Sequence, residues 1–305
     1  MNYPNPLRVG DLVGLIAPCS PVNKNRLNSC INTITSAGMN VLLGESVTQS
    51  LHGYLAGNDL VRADDINHMF HNKKVRAILC LRGGYGSTRL MQLLDYEMIA
   101  RNPKIFVGYS DVTSFHLAFH SLCNFATFHG PMVSSNLVDD FDSYSKTSFR
   151  TTLAIPERQT FFNPVGKPIL PLSKGRASGR IIGGCLSLVS PCIGTFYQPD
   201  FNGKILFLED VGESLPRCDK LMQHLINAGI LDQVNGILLG NFKDCDNPSD
   251  PSYTIYDYFR ELFSCYKKPV LYGLQSGHEK PMATIPFGTI CCMDTANNQI
   301  QFLYA

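Results

Sequence analysis

Short apolar runs alternate with stretches of helical periodicity along the N-terminal part of the chain. The apolar runs predict buried strands at residues 11–17, 41–43, 75–81, 105–107 and 127–129. Apolar side chains spaced three and four residues apart predict helices at residues 21–37, 59–70, 87–94 and 111–122, with Ser20 as the N-cap of the first. Strands that alternate with helices along a chain form a parallel sheet covered on both faces.

The pattern changes in the middle of the chain. Residues 136–174 have weak periodicity and contain four prolines, so we predict an inter-domain connection there. Further on, the pattern predicts strands at residues 204–208, 236–239 and 269–272 and helices at 216–228 and 254–265. We therefore predict an α/β protein with a parallel-sheet α/β domain at residues 1–165 and a smaller, β-rich α/β domain at residues 175–305.

Composition narrows the class of protein. The chain has 305 residues and a net charge of +1, which does not favour a nucleic acid or an anionic membrane as partner. The N-terminus has no basic segment followed by an apolar core, and no apolar run is long enough to span a bilayer, so we expect a cytoplasmic protein. The eleven cysteines form no C-x-x-C pair, which indicates reduced and mostly buried thiols.

A serine stands where the strand at residues 105–107 turns into a helix. Gly108-Tyr109-Ser110-Asp111-Val112 has the first glycine of the nucleophile-elbow pattern G-x-S-x-G and lacks the second. A helix N-terminus offers free N–H groups and a positive dipole end, which an oxyanion beside a serine nucleophile requires. Ser110 is therefore either a nucleophile or the cap of the helix.

A glycine-rich loop, Arg82-Gly83-Gly84-Tyr85-Gly86, also connects a strand to a helix. Phosphate-binding loops lie at such positions, but neither G-x-G-x-x-G nor the G-K-[ST] ending is present. A second use is an oxyanion donor, with the backbone N–H of Gly84 acting together with that of Asp111. The remaining alternative is a tight turn without further function.

An acid and a histidine follow predicted strands of the second half. Ser110, Glu209 and His278 occur in the order nucleophile, acid, base that some serine hydrolases use, although Glu209 could be a solvated strand end and His278 a surface residue.

Other histidines have weaker signals. His116 and His120 are spaced like metal ligands, but we interpret them as helix packing. His129 could line a cleft or merely end a strand.

With these segments identified, the sequence resembles the LD-carboxypeptidase family of serine peptidases, a group that also includes the microcin C self-immunity peptidases. The matching segments are GLIAP at residues 14–18, GYLAGNDLVRADDIN at 53–67, AILCLRGGYGSTRL at 77–90, VGYSDVT at 107–113, HGPM at 129–132, GRIIGG at 179–184, ILFLEDVGE at 205–213 and SGHEKPMATIPFG at 276–288. They extend over nearly the whole chain in the family's order.

The resemblance implies a catalytic triad of Ser110, Glu209 and His278, with oxyanion donors at Gly84 and Asp111. It also implies a site between the two domains, no metal or other cofactor, and a homodimer. The implied reaction is removal of the terminal D-alanine from cytoplasmic murein tetrapeptide during peptidoglycan recycling. An exopeptidase must also bind a free carboxylate, for which Arg82 is a weak candidate; Arg82 could equally form a structural ion pair.

Three alternatives remain open. The same chemistry could act on a microcin-type aminoacyl-nucleotide amide, although the absence of tryptophan favours the murein branch. The strand–helix–strand start would also suit a non-hydrolytic dinucleotide or flavin protein. The third alternative is an inactive binding module of the same fold.

Overall fold

A computed structural model describes residues 1–139 and 141–304 of the protein. In these residues the strands are β1 (Leu12–Ile16), β2 (Asn40–Leu43), β3 (Val75–Cys80), β4 (Ile105–Gly108), β5 (Thr127–His129), β6 (Arg158–Phe161), β7 (Leu170–Ser173), β8 (Arg176–Cys185), β9 (Ile205–Val211), β10 (Gly236–Lys243), β11 (Val270–Tyr272), β12 (Ile285–Phe287), β13 (Ile290–Asp294) and β14 (Gln299–Leu303). The α-helices are α1 (Lys24–Ser36), α2 (Asp59–His71), α3 (Tyr96–Arg101), α4 (Thr113–Ala118), α5 (Ser143–Leu153), α6 (Leu186–Val189), α7 (Leu215–Asn227), α8 (Ile230–Gln233) and α9 (Ile255–Leu262). Short 3₁₀ turns cover Glu45–Thr48, Ser87–Leu93, Ser110–Val112 and Ser190–Cys192, and π-helical turns cover Phe119–Cys123 and Val133–Leu137.

The N-terminal sheet has six strands in the order β12-β5-β4-β3-β1-β2. The five strands β1 to β5 run parallel, and β12 pairs antiparallel with β5 at the edge. Helices and loops cover both faces, so apolar side chains of one strand, such as Ile78 and Leu79 of β3, are buried on opposite faces. The predicted parallel α/β sheet is confirmed.

The C-terminal sheet has eight strands in the order β6-β14-β13-β8-β9-β10-β11-β7. Its centre, β8-β9-β10-β11, is parallel, and the flanking strands β13, β14, β6 and β7 are antiparallel. The predicted mixed α/β architecture of two units is therefore confirmed.

Two strands cross between the sequence halves. Strand β6 lies within residues 1–165 but pairs with β14 of the second sheet, whereas β12 lies within residues 175–305 but closes the first sheet. The domain limits 1–165 and 175–305 stay a prediction, because the sheets do not follow them strictly.

The segment at residues 136–174 contains more structure than its pattern indicates. It holds α5, β6 and β7, which the prediction of an inter-domain connection omitted. The sequence of α5, SYSKTSFRTTL, buries only Ser145, Thr152 and Leu153, so it has almost no apolar periodicity from which a helix could be predicted.

The first helix begins later than predicted. Asn23 is the N-cap of α1, and its side chain accepts a hydrogen bond from the N–H of Asn25. Ser20 has another role, because its hydroxyl accepts a hydrogen bond from the Tyr85 N–H at 3.1 Å and donates one to the Tyr54 carbonyl at 2.8 Å. Ser20 thus ties the glycine-rich loop to the loop around Tyr54.

The prediction that the cysteines are mostly buried is confirmed. All eleven are free, and only Cys265 and Cys292 are not buried. Cys291 is buried and its neighbour Cys292 is half-buried, because adjacent residues of a strand point to opposite faces. Over the described part of the chain, we find no helix with the length and apolar character needed to cross a membrane.

Candidate active site

Two neighbouring parallel strands bring the glycine-rich loop and Ser110 to one edge of the N-terminal sheet. Strand β3 leads into the loop and β4 leads into the Ser110 turn, and β3 pairs with β4. A Cβ atom added to Gly83 would lie 2.9 Å from the Ser110 Cβ. The backbone of the loop therefore packs directly on Ser110, as an oxyanion loop must.

The turn that carries Ser110 is sharp and strained. Ser110 has φ +62°, in the left-handed region that few residues other than glycine adopt. Gly108 permits the turn, since a Cβ there would lie 2.7 Å from Val112 Cγ1. After Tyr109 the chain forms the 3₁₀ turn at Ser110–Val112 and then α4. This is the backbone conformation of a nucleophile elbow, formed without the second glycine of the pattern.

The structure does not support the cap role for Ser110. Neither the 3₁₀ turn at Ser110–Val112 nor α4 begins with a side-chain capping hydrogen bond. The Ser110 side chain is half-buried at the helix N-terminus, where the first N–H groups lack intrahelical acceptors.

The backbone N–H groups of Gly84, in the glycine-rich loop, and of Asp111, the residue after Ser110, have no hydrogen-bond acceptor in the described parts of the chain. The Asp111 side chain serves another purpose, because its Oδ2 accepts a hydrogen bond from the Ser87 N–H at 2.8 Å. This bond attaches the segment after the glycine-rich loop to the Ser110 turn. The two predicted oxyanion donors therefore have free N–H groups among the described residues.

Gly84→Ala should lower kcat by about a hundredfold, the typical cost of losing one oxyanion donor. Gly84 has φ +108°, and an added Cβ would lie 2.2 Å from Ser20 Oγ, so the loop must shift. Steady-state kinetics with a peptide substrate would measure the loss. Gly53→Ala is the control, because Gly53 also has positive φ but a Cβ there has open space. Equal rates for Gly84→Ala and wild type would mean that Gly84 is not an oxyanion donor.

Glu209 and His278 form a buried hydrogen-bonded pair. His278 Nδ1 lies 2.7 Å from Glu209 Oε2, and the side chain of Glu209 has no exposed surface. The alternatives of a solvated strand end and a surface histidine are therefore wrong. A carboxylate can only accept hydrogen bonds, so Nδ1 carries the proton and Nε2 retains the lone pair of a base.

The electrostatic environment of this pair makes His278 a stronger base. Burial raises the pKa of Glu209, and the contact with His278 opposes that rise. Burial by itself would lower the pKa of His278, but the Glu209 charge and hydrogen bond outweigh it, so the pKa of His278 lies above its ordinary value. A carboxylate that stabilises the imidazolium is the third group of a serine triad.

The pair lies next to the Ser110 turn. The ring of Tyr109 contacts the His278 ring with centroids 4.8 Å apart. Within the described residues no hydrogen bond joins Ser110 to His278. Catalytic hydrogen bonds in ligand-free structures are often long and shorten when substrate binds. His278 belongs to the segment between β11 of the second sheet and β12 of the first, so this crossover brings the pair to Ser110.

The two candidates for substrate binding lie in different environments. Arg82 is exposed beside the glycine-rich loop, donates a long hydrogen bond of 3.4 Å to the Pro21 carbonyl, and has no ion pair among the described residues. The alternative of a structural ion pair is thus not observed. His129 ends β5 and is fully buried behind Tyr109, so it does not line an open cleft in this arrangement.

His116, one of the two histidines with metal-like spacing, agrees with a packing role. His116 Nδ1 lies 2.9 Å from Thr127 Oγ1, its Nε2 lies 2.9 Å from the Gly108 carbonyl oxygen, and burial lowers its pKa to about 4. The described residues contain no cluster of three or more His, Cys, Asp or Glu side chains that could hold a metal ion.

The sequence pattern did not predict Ser20 as the residue that fixes the glycine-rich loop. Its only sequence signal is its position after the first strand, because the carboxyl ends of parallel neighbours meet at one edge of a sheet. Asp210, which follows Glu209, was missed as well. It is buried, accepts a hydrogen bond from the Ser187 N–H at 2.7 Å, and has a charge that also raises the pKa of His278.

Comparisons with known proteins identify the family of this chain. The family models for the N-terminal and C-terminal domains of LD-carboxypeptidases match residues 13–130 and 178–293. A probable murein peptide carboxypeptidase of Bacillus subtilis is 35% identical, covering 97% of this chain and 93% of the relative. The microcin C7 self-immunity protein MccF of Escherichia coli is 29% identical, covering 97% and 94%.

A solved structure extends the likeness to three dimensions. The crystal structure of a muramoyltetrapeptide carboxypeptidase from Oxalobacter formigenes superposes with a TM-score of 0.84 at 29% identity, covering 95% of this chain and 97% of that one. Both halves of the sequence and the whole fold are therefore accounted for by one group of peptidases. The chain belongs to the LD-carboxypeptidase family.

Proposed function

We propose that this peptidase is a serine-type LD-carboxypeptidase that releases the terminal D-alanine from murein tetrapeptide. The observation that carries the proposal is the buried Glu209–His278 pair beside the strained Ser110 turn. The relatives named as murein peptide and muramoyltetrapeptide carboxypeptidases support the choice of substrate. We place the enzyme in the cytoplasm, working as a homodimer in peptidoglycan recycling.

The first half of the reaction forms an acyl-enzyme. Ser110 Oγ attacks the carbonyl carbon of the bond before D-alanine, and His278 Nε2 takes its proton. The negative charge that develops on the carbonyl oxygen is stabilised by the N–H groups of Gly84 and Asp111. His278 then donates the proton to the amine of D-alanine, which leaves.

The second half restores the enzyme. His278 removes a proton from a water molecule, the hydroxide attacks the acyl carbon, and the proton returns to Ser110 Oγ. Arg82 is the proposed partner for the terminal carboxylate of the substrate, because a guanidinium matches a carboxylate bidentately and this one is exposed and has no ion pair in the described structure.

A second candidate function is cleavage of an aminoacyl-nucleotide amide. It is favoured by one observation, the 29% identity to MccF over nearly the whole chain. The chemistry would be the same, since both substrates present an acyl carbon to Ser110. The two functions differ in what occupies the leaving-group side of the site.

A panel of substrates should separate these functions. We expect mass spectrometry to detect D-alanine from murein tetrapeptide, and at least a hundredfold less hydrolysis of an aminoacyl-nucleotide amide, since one or two lost contacts cost that much. The matched control is the tetrapeptide that ends in L-alanine, which should resist hydrolysis. Preferred turnover of the nucleotide amide would replace the murein function with the second candidate. Turnover of neither would contradict both.

A further inference from the structure

One hydrogen bond joins the helix that follows Ser110 to the central strands of the other sheet. Thr113 is the first residue of α4, and its Oγ1 accepts a hydrogen bond from the backbone N–H of Cys185 at 3.1 Å. Both residues are buried, Thr113 with no exposed surface and Cys185 with 3%. A buried N–H requires an acceptor, so this contact has one favoured geometry.

The helix and the strand meet without intervening space at this point. Gly184 has φ +134°, and a Cβ added to it would lie 2.5 Å from Thr113 Oγ1 and 2.6 Å from Thr113 Cγ2. Only a residue without a side chain permits the backbone of β8 to approach Thr113 so closely. The separation of α4 and β8 is therefore set by direct contact rather than by flexible side chains.

Cys185 also lies beside Glu209, the acid of the site. Cys185 is the register partner of Glu209 in the parallel pair β8–β9. Its thiol also donates a hydrogen bond to Asp210 Oδ1 at 3.2 Å. Cys185 thus contacts Thr113 through its N–H and lies beside β9, the strand that carries Glu209.

We propose that Thr113 is a positioning residue, whose hydroxyl sets the distance between Ser110 and the Glu209–His278 pair by binding the Cys185 N–H. The inference rests on the proposed serine mechanism. In that mechanism the nucleophile belongs to one sheet and the acid to another, so the reacting groups depend on a contact between sheets. A displacement of about 1 Å between such groups can cost about a hundredfold in rate.

The test uses three single variants of the full chain. Thr113→Val keeps the shape and removes the acceptor, and it should lower kcat about tenfold to a hundredfold with a change in KM of less than about threefold. Thr113→Ser restores the hydroxyl and should remain within about threefold of wild-type kcat. Ser114→Ala is the matched control, because Ser114 is its equally buried neighbour and its hydroxyl has no hydrogen-bond partner in the described structure.

A pH profile adds a readout that general loss of structure would not give. The acidic limb of kcat/KM should keep the wild-type apparent pKa in Thr113→Val, because the Glu209–His278 contact is intact and only its distance to Ser110 changes. Circular dichroism should show all variants folded at the assay temperature. If Thr113→Val does not fold, Thr113→Ala removes the same hydroxyl without placing a methyl group against the Cys185 N–H.

The failures of the two proposals can be distinguished. Wild-type protein that neither releases D-alanine nor reacts with a fluorophosphonate at Ser110 would contradict the proposed function. Wild-type activity together with wild-type kcat in Thr113→Val would overturn the role of Thr113 alone. Equal losses in Thr113→Ser and Thr113→Val would overturn it as well, since a retained hydroxyl would then not preserve the rate.

Discussion

Ser110→Ala is expected to abolish D-alanine release, with kcat falling by about 10⁵- to 10⁶-fold. The substitution removes the atom that attacks the carbonyl carbon, while the oxyanion donors at Gly84 and Asp111 are retained. These donors and substrate binding still provide a residual acceleration of about 10³- to 10⁴-fold over water. Mass spectrometry of murein tetrapeptide incubated with the variant would measure what remains.

The variant also permits a direct test of the acyl-enzyme. Wild-type protein should gain the mass of one fluorophosphonate adduct, and Ser110→Ala should gain none. Ser114→Ala, which removes a buried hydroxyl one helical turn further along, should behave like wild type in both assays. Release of D-alanine by Ser110→Ala at more than about one hundredth of the wild-type rate would exclude Ser110 as nucleophile.

Glu209→Gln should lower kcat by about 10³- to 10⁴-fold while the protein remains folded. Glutamine has nearly the shape of glutamate, but it cannot stabilise the imidazolium by charge. The buried Oε2 that lies 2.7 Å from His278 Nδ1 would also be exchanged for a neutral amide. His278 would then lose both its fixed tautomer and much of its basicity. Steady-state kinetics at neutral pH would measure this loss.

The same variant should change the pH dependence in a defined direction. In wild type the pKa of His278 lies above its ordinary value, and activity is lost as pH falls through that raised pKa because a protonated histidine cannot accept the serine proton. Without the Glu209 charge, burial is left to lower the pKa. The acidic limb of the kcat/KM profile should therefore move to lower pH.

Glu213→Gln is the matched control for this prediction. Glu213 lies shortly after β9, and in the described structure its side chain forms one ion pair, with Arg217 at 3.7 Å near the surface. Such pairs contribute little to stability. The rate and the pH profile of Glu213→Gln should match those of wild type. An unchanged profile in Glu209→Gln would mean that His278 is not the base.

Local sequence was sufficient to predict strands β1 to β5 of the first sheet and the turn at Ser110. Strands β1 and β4 are apolar throughout, and β3 is apolar apart from Arg76, which is close to the pattern of a doubly covered parallel strand. The nucleophile turn could be predicted from Gly108 and the helical spacing that follows it. The positive φ of Ser110 could not, because residues other than glycine rarely adopt the left-handed region and no local pattern signals it here.

Strands at the edges of both sheets were harder to predict because they depend on distant partners. Strands β12, β13 and β14 were missed, since each is short and pairs with a strand far away in sequence: β12 with β5, β13 with β8 and β14 with β6. The burial of His129 was missed for the same reason: its neighbours Phe207 and Phe287 come from the other half of the chain. The order of Ser110, Glu209 and His278 along the chain suggested the triad. Only contacts between segments far apart in sequence bring Glu209 next to His278.

Strand β12 has a consequence for any attempt to divide this protein. It covers the edge of β5, so a fragment ending near residue 165 would present an open strand edge with unpaired N–H and C=O groups. Open edges of this kind promote pairing with other chains and aggregation. The complementary fragment would carry β12 and the His278 segment without the surface on which they lie. The two halves would then regain a site only by reassociation, so each half depends on the other for solubility as well as for catalysis.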